Sequence, residues 1–261
     1  RDGNFLRSWG EGVFSRAHGL TAAPDDTLYC TDDGDHTVRQ CTLEGKVLLT
    51  IGTPGTPAKY QSGQPFNRCT DVAIDPGTGD LYISDGYGNS RVHKYSPDGN
   101  LLFSWGEPGT DPGEFNIVHN IAVDRDGYVY VADRENHRVQ VFTINGEFVR
   151  AWHVHRAVAV TRGRADDHYL YIAEQGPPPV QHGVPNLGHR VSIYTPEGEL
   201  ITRMGASLPG EAPEQFLWPH SIATDSQGDV YVAEVSYVEV GSRMTPAREM
   251  VSLRKWRRVS G

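Results

Sequence analysis

The sequence from Thr70 to Gly106 decides the fold, because it holds one complete repeating unit. Its four segments read Asp71-Val72-Ala73-Ile74-Asp75, Leu81-Tyr82-Ile83-Ser84-Asp85, Ser90-Arg91-Val92-His93-Lys94-Tyr95 and Leu101-Leu102-Phe103-Ser104-Trp105. Each segment is short, rich in β-branched and aromatic residues, and bounded by Gly, Asp or Pro, as strands joined by tight turns are. Four strands in a unit of roughly 40–50 residues are typical of one β-propeller blade.

The unit recurs along the chain. The next copy contains Ile121-Ala122-Val123-Asp124, Val129-Tyr130-Val131-Ala132-Asp133, Arg138-Val139-Gln140-Val141-Phe142 and Gly146-Glu147-Phe148-Val149-Arg150. We expect five units, near residues 18–52, 70–106, 119–152, 156–205 and 220–259. Propellers of this size often form one domain. The sequence therefore predicts a single all-β domain of four-stranded blades over residues 1–261.

The number of blades in the ring is open at this point. Residues 1–10 resemble the outer strand of a unit, and the fifth unit holds only three predicted strands, the third from Met250 to Val259. The first strand could complete the fifth unit and close a five-bladed ring. Alternatively, the inner strands of a sixth blade are missing before Arg1. We favour a six-bladed family with five units and one outer strand in this chain.

Three histidines occupy the same point of the repeat and support that choice. His18, His119 and His220 are 101 residues apart each time, in the first, third and fifth units. In a six-bladed ring these are alternate blades, about 120° apart around the axis. In a five-bladed ring two of them would be neighbours.

The same three side chains predict a metal site. Catalytic zinc typically has three protein ligands and an open position, and it binds imidazole nitrogen well. The units without histidine have Thr70 and Arg156 at the matching place. The alternative is that the imidazoles only fill the channel with hydrogen bonds.

Composition excludes several function classes. The net charge of −9 argues against a nucleic-acid partner, since phosphate contacts need a basic surface. We find no run of 18 apolar residues and expect no membrane partner. The three cysteines Cys30, Cys41 and Cys69 make no disulfide framework, and we expect buried free thiols. With no signal peptide visible these features favour the cytoplasm; secretion stays open if the start is processed. We expect a monomer.

Two motifs resemble the NHL-repeat propeller of peptidyl-α-hydroxyglycine α-amidating lyase. They are Ser84-Asp85-Gly86-Tyr87-Gly88-Asn89-Ser90-Arg91 and Ala132-Asp133-Arg134-Glu135-Asn136-His137-Arg138. The resemblance spans essentially the whole chain, and it implies a zinc enzyme that cleaves a carbinolamide into an amide and glyoxylate. It implies that His18, His119 and His220 bind the zinc, that Tyr87 is the base, and that Arg134 binds the substrate carboxylate.

The chain also departs from this family. The family's second active-site arginine belongs to a first blade that is missing here. The resemblance implies a structural calcium bound partly by the backbone at Leu20, but Ser221 replaces the acidic ligand after the third histidine. Gly88, Tyr130 and Val141 stand where animal members have cysteines, which suggests a bacterial or intracellular relative.

Three functions are weighed. The first is the lyase, acting on a small-molecule or peptide substrate. The second is a non-enzymatic NHL propeller that serves as a protein-interaction scaffold. The third, a lactonase-type hydrolase, would need Asp, Asn and Glu residues together on the axis, and the aligned repeat positions do not offer them.

Overall fold

The computed structural model describes residues 3–163 and 168–259, and its sheets form a β-propeller. Each of five antiparallel sheets pairs its strands in chain order, and we call these sheets blades 1 to 5. The first strand of each blade contacts the first strand of the next, so these inner strands lie side by side around one axis. The all-β propeller expected from the repeat is confirmed.

The strands of the first two blades match the predicted units. Blade 1 contains β1 (Ala17–Ala22), β2 (Thr27–Asp32), β3 (Thr37–Thr42) and β4 (Val47–Ile51). Blade 2 contains β5 (Asp71–Ile74), β6 (Leu81–Asp85), β7 (Arg91–Tyr95) and β8 (Leu101–Trp105). A two-stranded parallel sheet follows, made of β9 (Glu107–Pro108) and β10 (Glu114–Phe115).

The last three blades follow the same order. Blade 3 contains β11 (Val118–Val123), β12 (Tyr128–Asp133), β13 (Arg138–Thr143) and β14 (Phe148–His153). Blade 4 contains β15 (Ala157–Arg162), β16 (Leu170–Glu174), β17 (Arg190–Tyr194) and β18 (Leu200–Met204). Blade 5 contains β19 (Pro219–Thr224), β20 (Val230–Glu234) and β21 (Leu253–Trp256).

The few helices lie in loops between strands. Single 3-10 turns form at Arg134–Asn136, Pro179–Gln181 and Gly241–Arg243, and one α-helical turn, α1, spans Ser236–Glu239. None of the helices among the described residues is long and apolar enough to cross a membrane.

The hydrophobic core is divided among the interfaces between consecutive blades. Successive strand residues point to opposite faces, so one strand serves two interfaces. Leu81 and Ile83 pack against blade 1, whereas Tyr82 packs against blade 3. Both faces of the central strands are therefore buried, which is why these strands read as nearly continuous apolar runs.

A buried acid ends the second strand of each blade, and in blades 1, 3 and 5 this acid fixes the loop before the inner strand. Asp32 accepts hydrogen bonds from the backbone N–H groups of Ser15 and Arg16. Burial disfavours the charged carboxylate, but these N–H donors outweigh it and lower the pKa of Asp32.

Asp133 and Glu234 repeat this arrangement in the other two histidine blades. Asp133 accepts the N–H of Asn116, and Glu234 accepts those of Leu217 and Trp218. We call Asp32, Asp133 and Glu234 the clamp acids. Each clamp acid fixes the backbone two or three residues before one of the three histidines.

The first residues differ from the prediction. Residues 3–10 form no strand, because no neighbouring strand offers them backbone partners. Instead, the Trp9 ring packs on Gly45, in the turn before β4. Trp105 at the end of blade 2 packs in the same way on Gly146 in blade 3. Trp9 therefore occupies the place of an outer-strand tryptophan preceding blade 1.

Of three further expectations, one stays a prediction, one is corrected and one is confirmed. The described residues form the five expected blade units, and a six-bladed ring is not confirmed. The third strand of blade 5 spans Leu253–Trp256 and is shorter than predicted. Cys30, Cys41 and Cys69 are all buried free thiols, as expected.

Removing one clamp acid tests its structural role. Asp133→Ala leaves the backbone N–H of Asn116 without its acceptor, and the Arg138 guanidinium loses its carboxylate partner but keeps three carbonyl acceptors. We expect a loss of about 3 kcal/mol in the free energy of unfolding, the lower end of the cost of breaking a buried ion pair. Urea unfolding measures it, with Asp126→Ala in an exposed turn as the control. Equal stability of the two variants would contradict the role.

Candidate metal centre and its rim

The three histidines point to the axis because each lies at an irregularity of its inner strand. The register between first and second strand shifts between Ala17 and Leu20, between Val118 and Asn120, and between Pro219 and Ser221. A β-bulge of this kind takes one side chain out of the regular alternation and re-aims it. The backbone just before each histidine donates N–H groups to a clamp acid, which fixes the start of that strand.

The imidazoles of His18, His119 and His220 form a nearly equilateral triangle. Their ring centroids are 5.0 Å apart for His18 and His119, 4.9 Å for His18 and His220, and 4.8 Å for His119 and His220. One nitrogen from each ring lies within 4.8 Å of the others. Zinc binds imidazole nitrogen at about 2.0–2.1 Å, so three nitrogens this close can reach one ion after a small contraction.

The hydrogen bonds of the rings suit a metal. The Nδ1 atom of His18 is 2.7 Å from the carbonyl oxygen of Thr70, and that of His119 is 2.7 Å from the carbonyl oxygen of Val158. A ring that donates Nδ1–H to a carbonyl leaves the Nε2 lone pair free for a ligand bond. Each carbonyl belongs to the following blade. Among residues 3–163 and 168–259, no carbonyl accepts a hydrogen bond from His220.

Electrostatics keep the three imidazoles neutral. Burial lowers the pKa of His18 and of His119, and it lowers that of His220 to about 3. For His119, the nearby His220 and Arg134 add to the effect. Metal binding requires deprotonated ligands, so the site needs no proton release at neutral pH.

Tyr87 extends the centre by one hydroxyl. Its oxygen is 3.1 Å from Nε2 of His18 and 2.9 Å from Nε2 of His119. Burial raises the pKa of the phenol, and the Arg134 guanidinium opposes this. The residue before Tyr87 has to be glycine for the loop to lie this close to blade 3. A Cβ on Gly86 would lie 1.9 Å from the carbonyl oxygen of Val118. The predicted base therefore lies directly against the predicted ligands.

Arg134 follows the clamp acid of blade 3, in the 3-10 turn. Its guanidinium carbon is 5.7 Å from the centre of the Tyr87 ring, and its Nε donates to Glu135 at 2.8 Å. Arg156 donates to the same Glu135 oxygen. Arg134 also interacts with the Tyr87 hydroxyl, and no carbonyl or carboxylate in the described ranges accepts from its Nη groups.

One assignment by repeat position was wrong. In blade 4 the register shift lies between Ala157 and Ala159, so Val158 and not Arg156 matches the histidines. Arg156 lies two residues earlier, as Arg16 does before His18 and Arg68 before Thr70. These three arginines share one repeat position at the rim of the centre.

The sequence analysis missed the partner of two of these arginines. Arg16 and Arg68 both donate to the buried carboxylate of Asp33, the residue after the clamp acid Asp32. The Arg68 guanidinium carbon is 4.7 Å from the centre of the Tyr87 ring. The shared repeat position could have revealed the arginines, but nothing in the spacing predicts their convergence on Asp33.

A small cavity on the axis lies beside the histidines. It is lined by their rings and by Gly19, Thr70, Asp71, Asn120 and Ser221. Burial raises the pKa of Asp71 to about 7. Leu20, expected from the resemblance at a calcium, pairs with Cys30 in the β1–β2 ladder. Among the described residues, no second group of three His, Cys, Asp or Glu ligand atoms accompanies the histidines.

The repeat units are similar to those of a known protein family. Residues 66–95 and 115–142 match the family model described as NHL repeat. NHL repeat-containing protein 3 of Homo sapiens is 33% identical over 253 residues, which cover 92% of this chain and 69% of that protein. The chain belongs to the NHL-repeat family. The family part of the resemblance is thereby confirmed.

This NHL propeller is also related to amidating enzymes. Peptidyl-alpha-hydroxyglycine alpha-amidating lyase 1 of Drosophila melanogaster is 31% identical over 262 residues, covering 91% of this chain and 46% of that protein. Peptidyl-glycine alpha-amidating monooxygenase B of Xenopus laevis is 34% identical over 242 residues, covering 88% of this chain and 26% of that protein. The chain thus spans less than half of the length of these two relatives.

Metal analysis of the purified NHL propeller tests the centre. We expect about one zinc per chain, and His119→Ala to lower the affinity at least tenfold because it removes one of three ligands. The control is His153→Ala, an exposed histidine on β14. Equal zinc content in both variants and the parent protein would show that the ion binds elsewhere.

Proposed function

We propose that this NHL propeller is a zinc-dependent lyase that cleaves the C–N bond of a peptidyl-α-hydroxyglycine-like carbinolamide, giving an amide and glyoxylate. The observation that carries the proposal is the convergence of three imidazole nitrogens and the Tyr87 hydroxyl on one point. The similarity to the Drosophila amidating lyase supports the choice of reaction.

The three imidazole nitrogens fit zinc, and a zinc ion held by them could act on a substrate oxygen. His18, His119 and His220 would hold the ion through neutral imidazoles, with a position left open for substrate. When bound, a dication supplies polarisation of a substrate oxygen and lowers the pKa of an attached hydroxyl. The proposal is confined to this centre and does not extend to calcium.

Tyr87 is proposed to move the proton. Cleavage converts the carbinol C–OH to an aldehyde carbonyl, the C–N electron pair passes to nitrogen, and that nitrogen gains a proton. The hydroxyl loses one proton and the amide nitrogen gains one, so the cleavage consumes no water. Tyr87 is the ionisable group within hydrogen-bonding distance of two of the ligands, so its oxygen can accept the first proton. Arg134 favours its ionised form against the effect of burial.

Arg134 is proposed to hold the carboxylate that leaves as part of glyoxylate. Glu135 engages its Nε and orients the guanidinium, while the Nη groups remain for a charge-assisted contact. A planar guanidinium can bind a carboxylate with two parallel hydrogen bonds, which a lysine cannot. Binding there would place the carbinol between Arg134 and the histidines.

Replacing the base tests the reaction. We expect Tyr87→Phe to lower kcat for glyoxylate release from N-benzoyl-α-hydroxyglycine by about 10²–10⁴-fold, the usual contribution of a general base. The zinc content should stay near one per chain, because the phenol is not a ligand. Glyoxylate release that is unchanged in Tyr87→Phe would remove Tyr87 from the mechanism.

The interaction scaffold is the second candidate. It is favoured by the similarity to human NHL repeat-containing protein 3, whose name states no reaction. A preparation with no zinc and no glyoxylate release would support the scaffold against the lyase.

We also propose that the blades take the angular positions of a six-bladed ring. The equal separations of the three imidazoles support this, since blades 1, 3 and 5 would be alternate. His18 and His119 each use a carbonyl of the next blade, and His220 has no such partner in the described residues. The place of Trp9 against Gly45 supports it further.

Spin-label distances test the angular positions. Asp25, Asp126 and Gln227 lie in equivalent exposed turns of blades 1, 3 and 5, and the native cysteines are buried. Pairs of cysteine substitutions at these sites should give three nearly equal distances by pulsed dipolar spectroscopy. A clearly shorter distance between positions 25 and 227 would indicate neighbouring blades and a closed five-bladed ring.

A further inference from the structure

Two pairs of arginines border the candidate centre, and each pair shares one acid. Arg134 and Arg156 both donate to Glu135. Arg16 and Arg68 both donate to Asp33. Each of these two acids therefore receives two guanidiniums, and Asp32 acts electrostatically on Arg16 as well. The chain as a whole has a net charge of −9, so the four arginines are a local concentration of cationic groups in an acidic protein.

Both groups face the same tyrosine. The guanidinium carbons of Arg68 and Arg134 lie 4.7 Å and 5.7 Å from the centre of the Tyr87 ring. The Tyr87 hydroxyl in turn contacts two of the three histidines. A ligand at the histidines is consequently within reach of both pairs of arginines.

The group on Asp33 is organised as an anion-binding site. The Asp33 side chain is fully buried, whereas the Arg16 and Arg68 side chains are 58% and 39% exposed. Both arginines use Nε and Nη2 on Asp33. In the described part of the chain, no hydrogen bond engages Nη1 of either arginine. The buried acid thus orients two guanidiniums whose outer edges remain free, and such prior ordering reduces the entropy lost on binding.

A structural role alone does not explain two arginines on one acid. One guanidinium neutralises one carboxylate, and a second positive charge beside it is repelled by the first. The proposed reaction uses one carboxylate, which Arg134 accounts for. The second guanidinium on Asp33 is left without an assigned role.

We infer that Arg16 and Arg68, oriented by Asp33, form a second anion subsite that binds an anionic group on the acyl half of the substrate, the half released as the amide. The inference rests on the proposed function for the identity of that half. The substrate class is then a carbinolamide with two carboxylates, one on the glyoxylate side at Arg134 and one on the acyl side at Arg68.

Paired substrates test the subsite. N-succinyl-α-hydroxyglycine carries the second carboxylate, and N-butyryl-α-hydroxyglycine has a neutral acyl chain of similar length. We expect the parent protein to show at least a tenfold higher kcat/KM for the succinyl compound, mainly through KM. Arg68→Gln and Arg16→Gln should each reduce this ratio severalfold, because each removes a contact that only the succinyl compound makes. Each single variant keeps the other arginine on Asp33, so the buried acid remains paired.

A binding measurement separates this inference from the lyase proposal. Succinamate and butyramide are the corresponding amide products, and calorimetry measures their binding without turnover. We expect succinamate to bind at least tenfold more tightly, with the difference reduced in Arg68→Gln and retained in Arg68→Lys. The matched control is Arg125→Gln, which replaces an exposed arginine just after β11. It should leave the affinities for succinamate and butyramide unchanged.

The outcomes are distinct. No glyoxylate from either substrate, together with selective succinamate binding that Arg68→Gln weakens, would reject the lyase and keep the subsite. Glyoxylate from both substrates at equal kcat/KM, with equal binding of the two amides, would keep the lyase and overturn the subsite. An equal effect of Arg68→Gln on both ligands would also overturn it.

Discussion

The structure of the centre depends on backbone hydrogen bonds to the clamp acids. A buried carboxylate at the end of the second strand accepts N–H groups from the loop that leads into the inner strand. A charge-assisted hydrogen bond of this kind is stronger than a neutral one, and a buried N–H without an acceptor costs about 1–3 kcal/mol. The loop therefore has one position, the strand begins with a bulge, and the bulged residue faces the axis. Where that residue is histidine, in blades 1, 3 and 5, three imidazoles meet.

The carbonyls that orient the rings come from neighbouring blades, which links the centre to the packing of the ring. Thr70 and Val158 each accept from the histidine of the preceding blade. A shift of one blade against the next would therefore move the carbonyl that orients His18 or His119. The four core clusters, one in each interface between consecutive blades, are what hold these rings at their angles. Stability and site geometry are in this way properties of the same contacts.

Much of this arrangement could be predicted from sequence, because the repeat makes equivalent positions visible. The strand pattern and the inward histidines followed from the repeat, whereas the closeness of Tyr87 and Arg134 to the histidines was implied by the resemblance to the lyase family. Three features did not. Pairing of residues 3–10 depends on a partner strand, which the spacing of residues cannot supply. The place of Val158 depends on where the bulge lies in β15, between Ala157 and Ala159, which the repeat spacing does not show. The convergence of Arg16 and Arg68 on Asp33 depends on side chains from two blades, and no pattern within a unit encodes it.

Anomalous diffraction at the zinc edge, from crystals of the zinc-loaded protein, tests the account most directly. The account predicts one peak on the axis, about 2.0–2.1 Å from an Nε2 atom of each of His18, His119 and His220, with Tyr87 beside it and not bound to it. A peak at any other group, or one that only one or two of these rings reach, would contradict it.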